Sequence, residues 1–164
     1  MSKNLVLYFS VYGTAKNIAE EIGRQVNADV VEIEPVVAYD GNRDHYNALA
    51  RLAKKEHDEN QRPAIKNKIS IADYDNIFIG YPMWWYTFPM IIYTLFDEYD
   101  FGGKTIIPFN THMGSSDGGT YKTIKELEPN ANVLPGLPIE MNDAETGASA
   151  GKNAVKKWLE KLGF

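Results

Sequence analysis

Short apolar runs alternate with longer amphipathic stretches along this chain. Leu5-Val6-Leu7-Tyr8-Phe9, Val30-Val31-Glu32-Ile33, Ile77-Phe78-Ile79-Gly80-Tyr81 and Lys104-Thr105-Ile106-Ile107-Pro108-Phe109 are brief and rich in β-prone side chains. Runs that stay apolar predict strands covered on both faces, as in a parallel sheet. Pro108 is awkward within the fourth run, because it removes one ladder donor. A fifth strand is expected between Ala131 and Ile139, its limits blurred by Pro135-Gly136.

Helical spacing fills the intervals. From Thr14 onward, Ala15, Ile18, Ala19, Ile22 and Val26 share one face, and Tyr46, Leu49, Ala50 and Ala53 repeat in the same way. Residues 54–60 read as a solvated charged tail of that second helix. Further helices are expected over residues 89–99, around Tyr121, Ile124 and Leu127, and at Val155, Trp158, Leu159 and Leu162. Strand and helix alternate throughout, which predicts an α/β domain with a parallel sheet. The length of 164 residues favours a single domain over residues 1–164.

Composition narrows the chemistry. The net charge of −5 and pI near 5.2 argue against nucleic acid and anionic membranes, whose phosphates call for a basic face. With no cysteine, disulfides, thiol nucleophiles and cysteine-bound iron–sulfur clusters are excluded, so redox chemistry would need a bound cofactor. No apolar run approaches the roughly 20 residues of a membrane span. Met1-Ser2-Lys3-Asn4 leads straight into a strand without the pattern of a signal peptide, so the cytoplasm is the expected location.

Ligands of open α/β sheets bind at the carboxyl ends of the strands, and three loops there are unusual. After the first strand, Ser10, Gly13 and Thr14 lead into a helix N-terminus, where free N–H groups favour an anion; Lys16 adds charge. An ordinary helix cap explains the same residues equally well. The stretch is neither a Walker loop nor a Gly-x-Gly-x-x-Gly fingerprint. After the third strand, Trp84, Trp85 and Tyr86 adjoin Pro82 and Met83. Adjacent side chains in an extended loop point apart, so both tryptophans are not expected in the core, and a stacked planar ligand explains one or both. The third loop, Thr111-His112-Met113-Gly114-Ser115-Ser116-Asp117-Gly118-Gly119, brings backbone donors to a polar edge. His45 and His57 read as solvated, and no metal-ligand spacing is present. A phosphate nest, an aromatic wall and a polar loop together suit a mononucleotide with a flat ring.

These segments resemble a known family. Tyr8-Phe9-Ser10-Val11-Tyr12-Gly13-Thr14-Ala15-Lys16 is similar to the FMN-phosphate loop of flavodoxins. Gly80-Tyr81-Pro82-Met83-Trp84-Trp85 with Pro89 resembles the ring-binding loop of a bacterial flavodoxin subgroup, and Thr111-His112-Met113-Gly114-Ser115 its third loop. Arg62-Pro63-Ala64-Ile65 is also similar. The resemblance implies a flavodoxin-like doubly wound five-stranded parallel sheet, order 2-1-3-4-5, with helices on both faces. It implies non-covalent FMN, with phosphate on Ser10, Tyr12, Gly13, Thr14 and Ala15. The ring would lie against Pro82, Met83, Trp84, Trp85, Tyr86, Thr111, His112, Met113 and Gly114, with Asp117 at the rim. The usual phosphate loop reads Ser-x-Thr-Gly-Asn-Thr, so the lost hydroxyl at Ala15 predicts weaker binding. The ring loop also lacks the glycine that many flavodoxins place beside flavin N5.

The leading expectation is an electron-transfer flavoprotein with no catalytic side chain. Its partners would be a reductase and an acceptor docking near the flavin edge, with the chain a monomer or weak dimer. An FMN-dependent NAD(P)H:quinone-type oxidoreductase is the alternative, with His112 as a candidate proton donor. A flavodoxin fold that no longer binds flavin ranks third, and a phospho-receiver domain last, since its acidic cluster is missing.

Overall fold

The computed structural model describes residues 3–142 and 149–164. Strands β1 (Asn4–Tyr8), β2 (Asp29–Glu32), β3 (Asn76–Pro82), β4 (Thr105–His112), β5 (Asn132–Val133) and β6 (Leu137–Glu140) form one parallel sheet in the order β2-β1-β3-β4-β5, with β6 also paired to β4. The helices are α1 (Thr14–Val26), α2 (Tyr46–Asp58), α3 (Met90–Glu98), α4 (Thr120–Leu127) and α5 (Ser149–Leu162), with a short 3-10 turn at Arg43–His45. The expected flavodoxin-like topology is present, with one strand more than expected.

The central strands β1, β3 and β4 are buried from both sides, and they send alternate residues into two apolar layers. Leu5, Leu7, Ile77, Ile79 and Tyr81 join Ile91, Ile92, Leu95 and Ile124 on one face. Val6, Tyr8, Phe78, Ile107 and Phe109 join Ile18, Ile22, Val155, Trp158 and Leu159 on the other. Gly80 pairs with Phe109 across the β3–β4 ladder, and a Cβ there would stand 2.1 Å from that ring. Glycine at this position therefore makes room for a cross-strand aromatic.

The extra strand arises from a break. Pairing along β4 passes from β5 at Thr105 and Ile106 to β6 at Phe109 through His112, and the interruption falls at residues 134–136. Leu134 N–H still reaches Ile106 O, so even-numbered residues of β4 face this side. The donor that Pro108 lacks would point at the gap, which explains how a central strand tolerates proline. The Trp158 indole N–H donates to Pro135 O at 3.0 Å, which gives the carbonyl at the break a partner.

Two further expectations need correction. The charged tail of α2 is not wholly solvated: Glu56 is buried and accepts the Tyr39 hydroxyl at 2.7 Å. Strand β4 runs to His112, so the third loop begins later than its composition suggested. Arg62 has a structural role. It pairs with Asp97 at 2.8 Å, lies over the Tyr93 ring and donates to Asn60, tying the end of α2 to α3.

Candidate functional site

Strands β1, β3 and β4 end side by side, and the loops that follow them enclose a cavity of about 490 Å³. Its walls contain Val11 and Tyr12 of the first loop with Thr14 at the start of α1, Pro82 at the end of β3 with Met83, Trp84, Trp85 and Tyr86 of the second loop, and Thr111 and His112 at the end of β4 with Met113, Gly114 and Ser115 of the third. The structure thus gathers most of the expected site residues around one space. Ser10, Gly13, Ala15 and Asp117 do not line it. Ser10 Oγ accepts the Gly13 N–H at 3.0 Å, Ala15 is fully buried, and the Asp117 carbonyl receives both the N–H and hydroxyl of Thr120.

The first loop ends in a set of donors that no side chain caps. Helix α1 has no side-chain cap and no acidic residue in its first turn, so its first N–H groups lack the partners that usually satisfy them. Gly13 adopts φ 90°, and no atom lies within 4 Å of where its Cβ would be. Thr14 and Thr111 bring their hydroxyls to 3.4 Å from each other. The buried Tyr12 hydroxyl has no hydrogen-bond partner, and burial raises its pKa.

The second loop turns tightly. Trp84 and Thr87 exchange backbone hydrogen bonds at 3.0 and 3.3 Å, with Trp85 and Tyr86 at the corners at φ 53° and 63°. Two positive φ values define the mirror-image turn that suits strand twist but normally calls for glycine or asparagine. The two indoles diverge as expected. Trp84 meets Phe9 and Tyr39 edge-on at 5.4 and 5.3 Å, whereas Trp85 donates its indole N–H to Ala50 O at 2.9 Å. Tyr86 and Met113 stand 76% and 78% exposed at the cavity mouth, forming an apolar rim.

The third loop is braced from beneath. Asn110, nearly fully buried, donates to Ser116 O and accepts the Tyr121 hydroxyl, and the Tyr81 hydroxyl meets Thr120 Oγ1. Burial drives the phenols of Tyr81 and Tyr121 well above their ordinary pKa, so both are neutral hydrogen-bonding groups. Gly114 N–H donates to His112 Nδ1 at 3.0 Å, which puts the proton of the neutral imidazole on Nε2.

Sequence reasoning missed one wall. Tyr46, Leu49, Ala50 and Ala53 of α2 line the cavity, as does Met141. The α2 stripe was visible as helical spacing, but such a stripe looks the same whether it covers a sheet or a ligand. Among the described lining residues there is no Asp, Glu, Lys or Arg, although charged residues make up 24% of the chain. No group of side chains suited to a metal ion occurs among the described residues.

A doubly wound parallel sheet with an aromatic cavity at the carboxyl ends of its strands defines the class of open α/β proteins. The profile of the Flavodoxin family matches residues 3–162, and the chain belongs to that family. It is similar to two solved structures of proteins designated flavoproteins. One, from Bacteroides eggerthii, is 33% identical with a TM-score of 0.82, covering 100% of this chain and 99% of that one. The other, from Bacteroides uniformis, is 34% identical with a TM-score of 0.83, covering 97% and 98%. A Lactobacillus acidophilus flavoprotein, solved in complex with FMN, shares the fold at 23% identity and a TM-score of 0.71, covering 88% and 97%. No curated protein matches the chain significantly. No helix among the described residues is long and apolar enough to cross a membrane.

Proposed function

We propose that the cavity binds FMN non-covalently and that the protein carries electrons between redox partners. The observation behind this reading is the pairing of two unlike ends in one cavity: uncapped donors with an unpartnered Tyr12 hydroxyl at one end, and uncharged aromatic walls at the other. The residues present fit a phosphorylated flat ring. The open space at Gly13 and Gly114 leaves room for close approach of a ligand to backbone N–H groups. When bound, FMN would supply reversible uptake of electrons and protons.

The chain's own residues bind and orient it. In this reading the loop of Ser10, Tyr12, Gly13, Thr14 and Ala15 holds the phosphate, largely through backbone N–H groups, with Ser10 shaping the loop. Pro82, Met83, Trp84, Trp85 and Tyr86, together with Thr111, His112, Met113 and Gly114, would lie against the ring, with Asp117 near the rim. Trp84, buttressed by Phe9 and Tyr39, and the α2 wall exclude water from the ring. The reading includes one domain, a cytoplasmic setting, a monomer or weak dimer, and a reductase and an acceptor docking at the exposed edge.

The apolar rim of Tyr86 and Met113 favours a second reading, an FMN-dependent NAD(P)H:quinone-type oxidoreductase. An uncharged, aromatic mouth suits a planar acceptor that would stack on the ring, with His112 Nε2–H donating a hydrogen bond to its oxygen, and a proton only when the imidazole is protonated. An FMN titration followed by flavin fluorescence, then anaerobic reduction with potentiometry, separates these readings. Saturable binding with two separated one-electron midpoints supports the carrier. A single two-electron midpoint with steady NAD(P)H oxidation supports the oxidoreductase, and failure to bind FMN overturns both.

A further inference from the structure

We infer that the cavity binds FMN together with a proton, and that the carboxyl of Glu56 is the group that takes it. The inference rests on the FMN reading above and adds a pH control to the same site. The buried residues of α2 are Leu49, Ala53 and Glu56. At spacings of four and three they form one stripe along the helix. Leu49 and Ala53 line the cavity. Glu56 continues that stripe one turn beyond Ala53, with a carboxyl where its two predecessors are apolar, and it is only 7% exposed.

A second path joins Glu56 to the wall. Its carboxylate accepts the Tyr39 hydroxyl at 2.7 Å, and the Tyr39 ring meets Trp84 edge-on at 5.3 Å. Trp84 is itself part of the cavity wall. Around the carboxyl, Tyr39 is the titratable group in contact, and burial keeps its phenol neutral. Beyond the end of α2, Arg62 and Asp97 of α3 hold each other. Lys54, Lys55, His57, Asp58 and Glu59 of the same stretch are exposed to solvent. The cavity contributes His112 and the phenols of Tyr12, Tyr46 and Tyr86. No ion pair to Glu56 occurs among the described residues.

Desolvation then couples this carboxyl to the ligand. Burial already disfavours its charged form, and the Tyr39 hydrogen bond opposes that only in part. A flat ring seated against Leu49, Ala53 and Trp84 would replace water along the same wall with a weakly polar plane. The charged form of Glu56 is then disfavoured further, its pKa rises on binding, and a proton is drawn in. Affinity is therefore highest where Glu56 is already neutral in the free protein. It falls as pH rises through the value that the carboxyl has in the bound state.

The test is a set of calorimetric FMN titrations of the wild-type chain, Glu56→Gln and Tyr39→Phe, from pH 4.5 upward to neutrality. Each is run in two buffers of different ionisation heat, which counts the protons taken up. The phosphate of FMN titrates in the same range but contributes alike to all three chains, so the difference between wild type and Glu56→Gln isolates Glu56. The wild type should take up a larger fraction of a proton than Glu56→Gln, and its FMN affinity should fall about three- to tenfold more across the range. Tyr39→Phe removes the hydrogen bond that opposes burial, so its uptake should move to higher pH, a change that a purely structural role does not produce. Equal uptake by wild type and Glu56→Gln, net release at Glu56, or uptake by Tyr39→Phe at or below the wild-type pH overturns the inference while leaving FMN binding intact. A wild-type chain that binds no FMN overturns the functional reading itself.

Discussion

Trp85 and Tyr86 carry backbone strain at the cavity mouth. Side chains at positive φ cost about 1–2 kcal/mol each, and such strain persists only where neighbours over-determine it. Three contacts do so here: the Trp84–Thr87 bonds, the Trp85 indole on Ala50 O, and the close packing of Gly118 against the Tyr86 carbonyl. Tyr86→Gly should therefore raise stability by several tenths to about 1 kcal/mol, the relieved strain less the entropy that glycine adds to the unfolded chain. A urea midpoint measures it, and a lower midpoint would show that the exposed ring contributes more than the strain costs. Gly80 is the opposite case. Gly80→Ala drives a methyl into the Phe109 ring and should lose about 1–3 kcal/mol, visible as a lower melting temperature. The turn's conformation was not legible in the sequence, because Trp-Tyr carries none of the signals that announce a mirror-image turn. The need for Gly80 was equally hidden, because it depends on a cross-strand partner 29 positions away.

At the scale of elements, α2 shows most clearly where sequence reading stops. Its apolar stripe was plain, but its use as a cavity wall was not, and one buried carboxylate inside a charged run has no periodic signature. Burial raises the pKa of Glu56 above the ordinary value of 4.5, with the Tyr39 hydrogen bond opposing in part. The folded state then holds this proton more tightly than the unfolded state. The stabilisation is complete below pH 4.5 and is lost as pH rises through the raised folded value. Glu56→Gln keeps an acceptor for Tyr39 and removes the charge. The variant should overtake the wild type in stability above that window, and the two should converge in acid; denaturant melts across pH 4–8 check this. If the variant is weaker at neutral pH, the bond from Tyr39 to a charged carboxylate outweighs desolvation. Strands β1, β3 and β4, by contrast, were legible because runs buried on both faces leave no polar alternation to misread. The fifth was the exception, since Pro135-Gly136 signals an interruption without saying that pairing resumes beyond it.

Across the whole molecule, one sheet separates two hydrophobic layers, and the cavity opens where the loops of three adjacent strands converge. A ligand bound there would touch the second and third loops and α2, which line the cavity and are linked by the Met83 N–H to Thr111 O bond and by Trp85 to Ala50. FMN at one hundred times its dissociation constant should therefore raise the unfolding free energy by about 2.7 kcal/mol, with the transition remaining cooperative. A melt unaffected by saturating FMN would mean that the ligand binds the unfolded chain equally well or not at all. The divided strand beside β4 has another consequence. An edge strand normally offers a continuous row of unpaired amides and carbonyls on which a neighbouring molecule can template its own strand. Here that row is short, broken at residues 134–136, and deprived of the Pro135 carbonyl by Trp158. At the opposite margin, Glu34 and Val36 just beyond β2 are bonded to residues 64–67. Neither flank presents a long template, so the fold carries its own protection against polymerising edge to edge in a crowded cell.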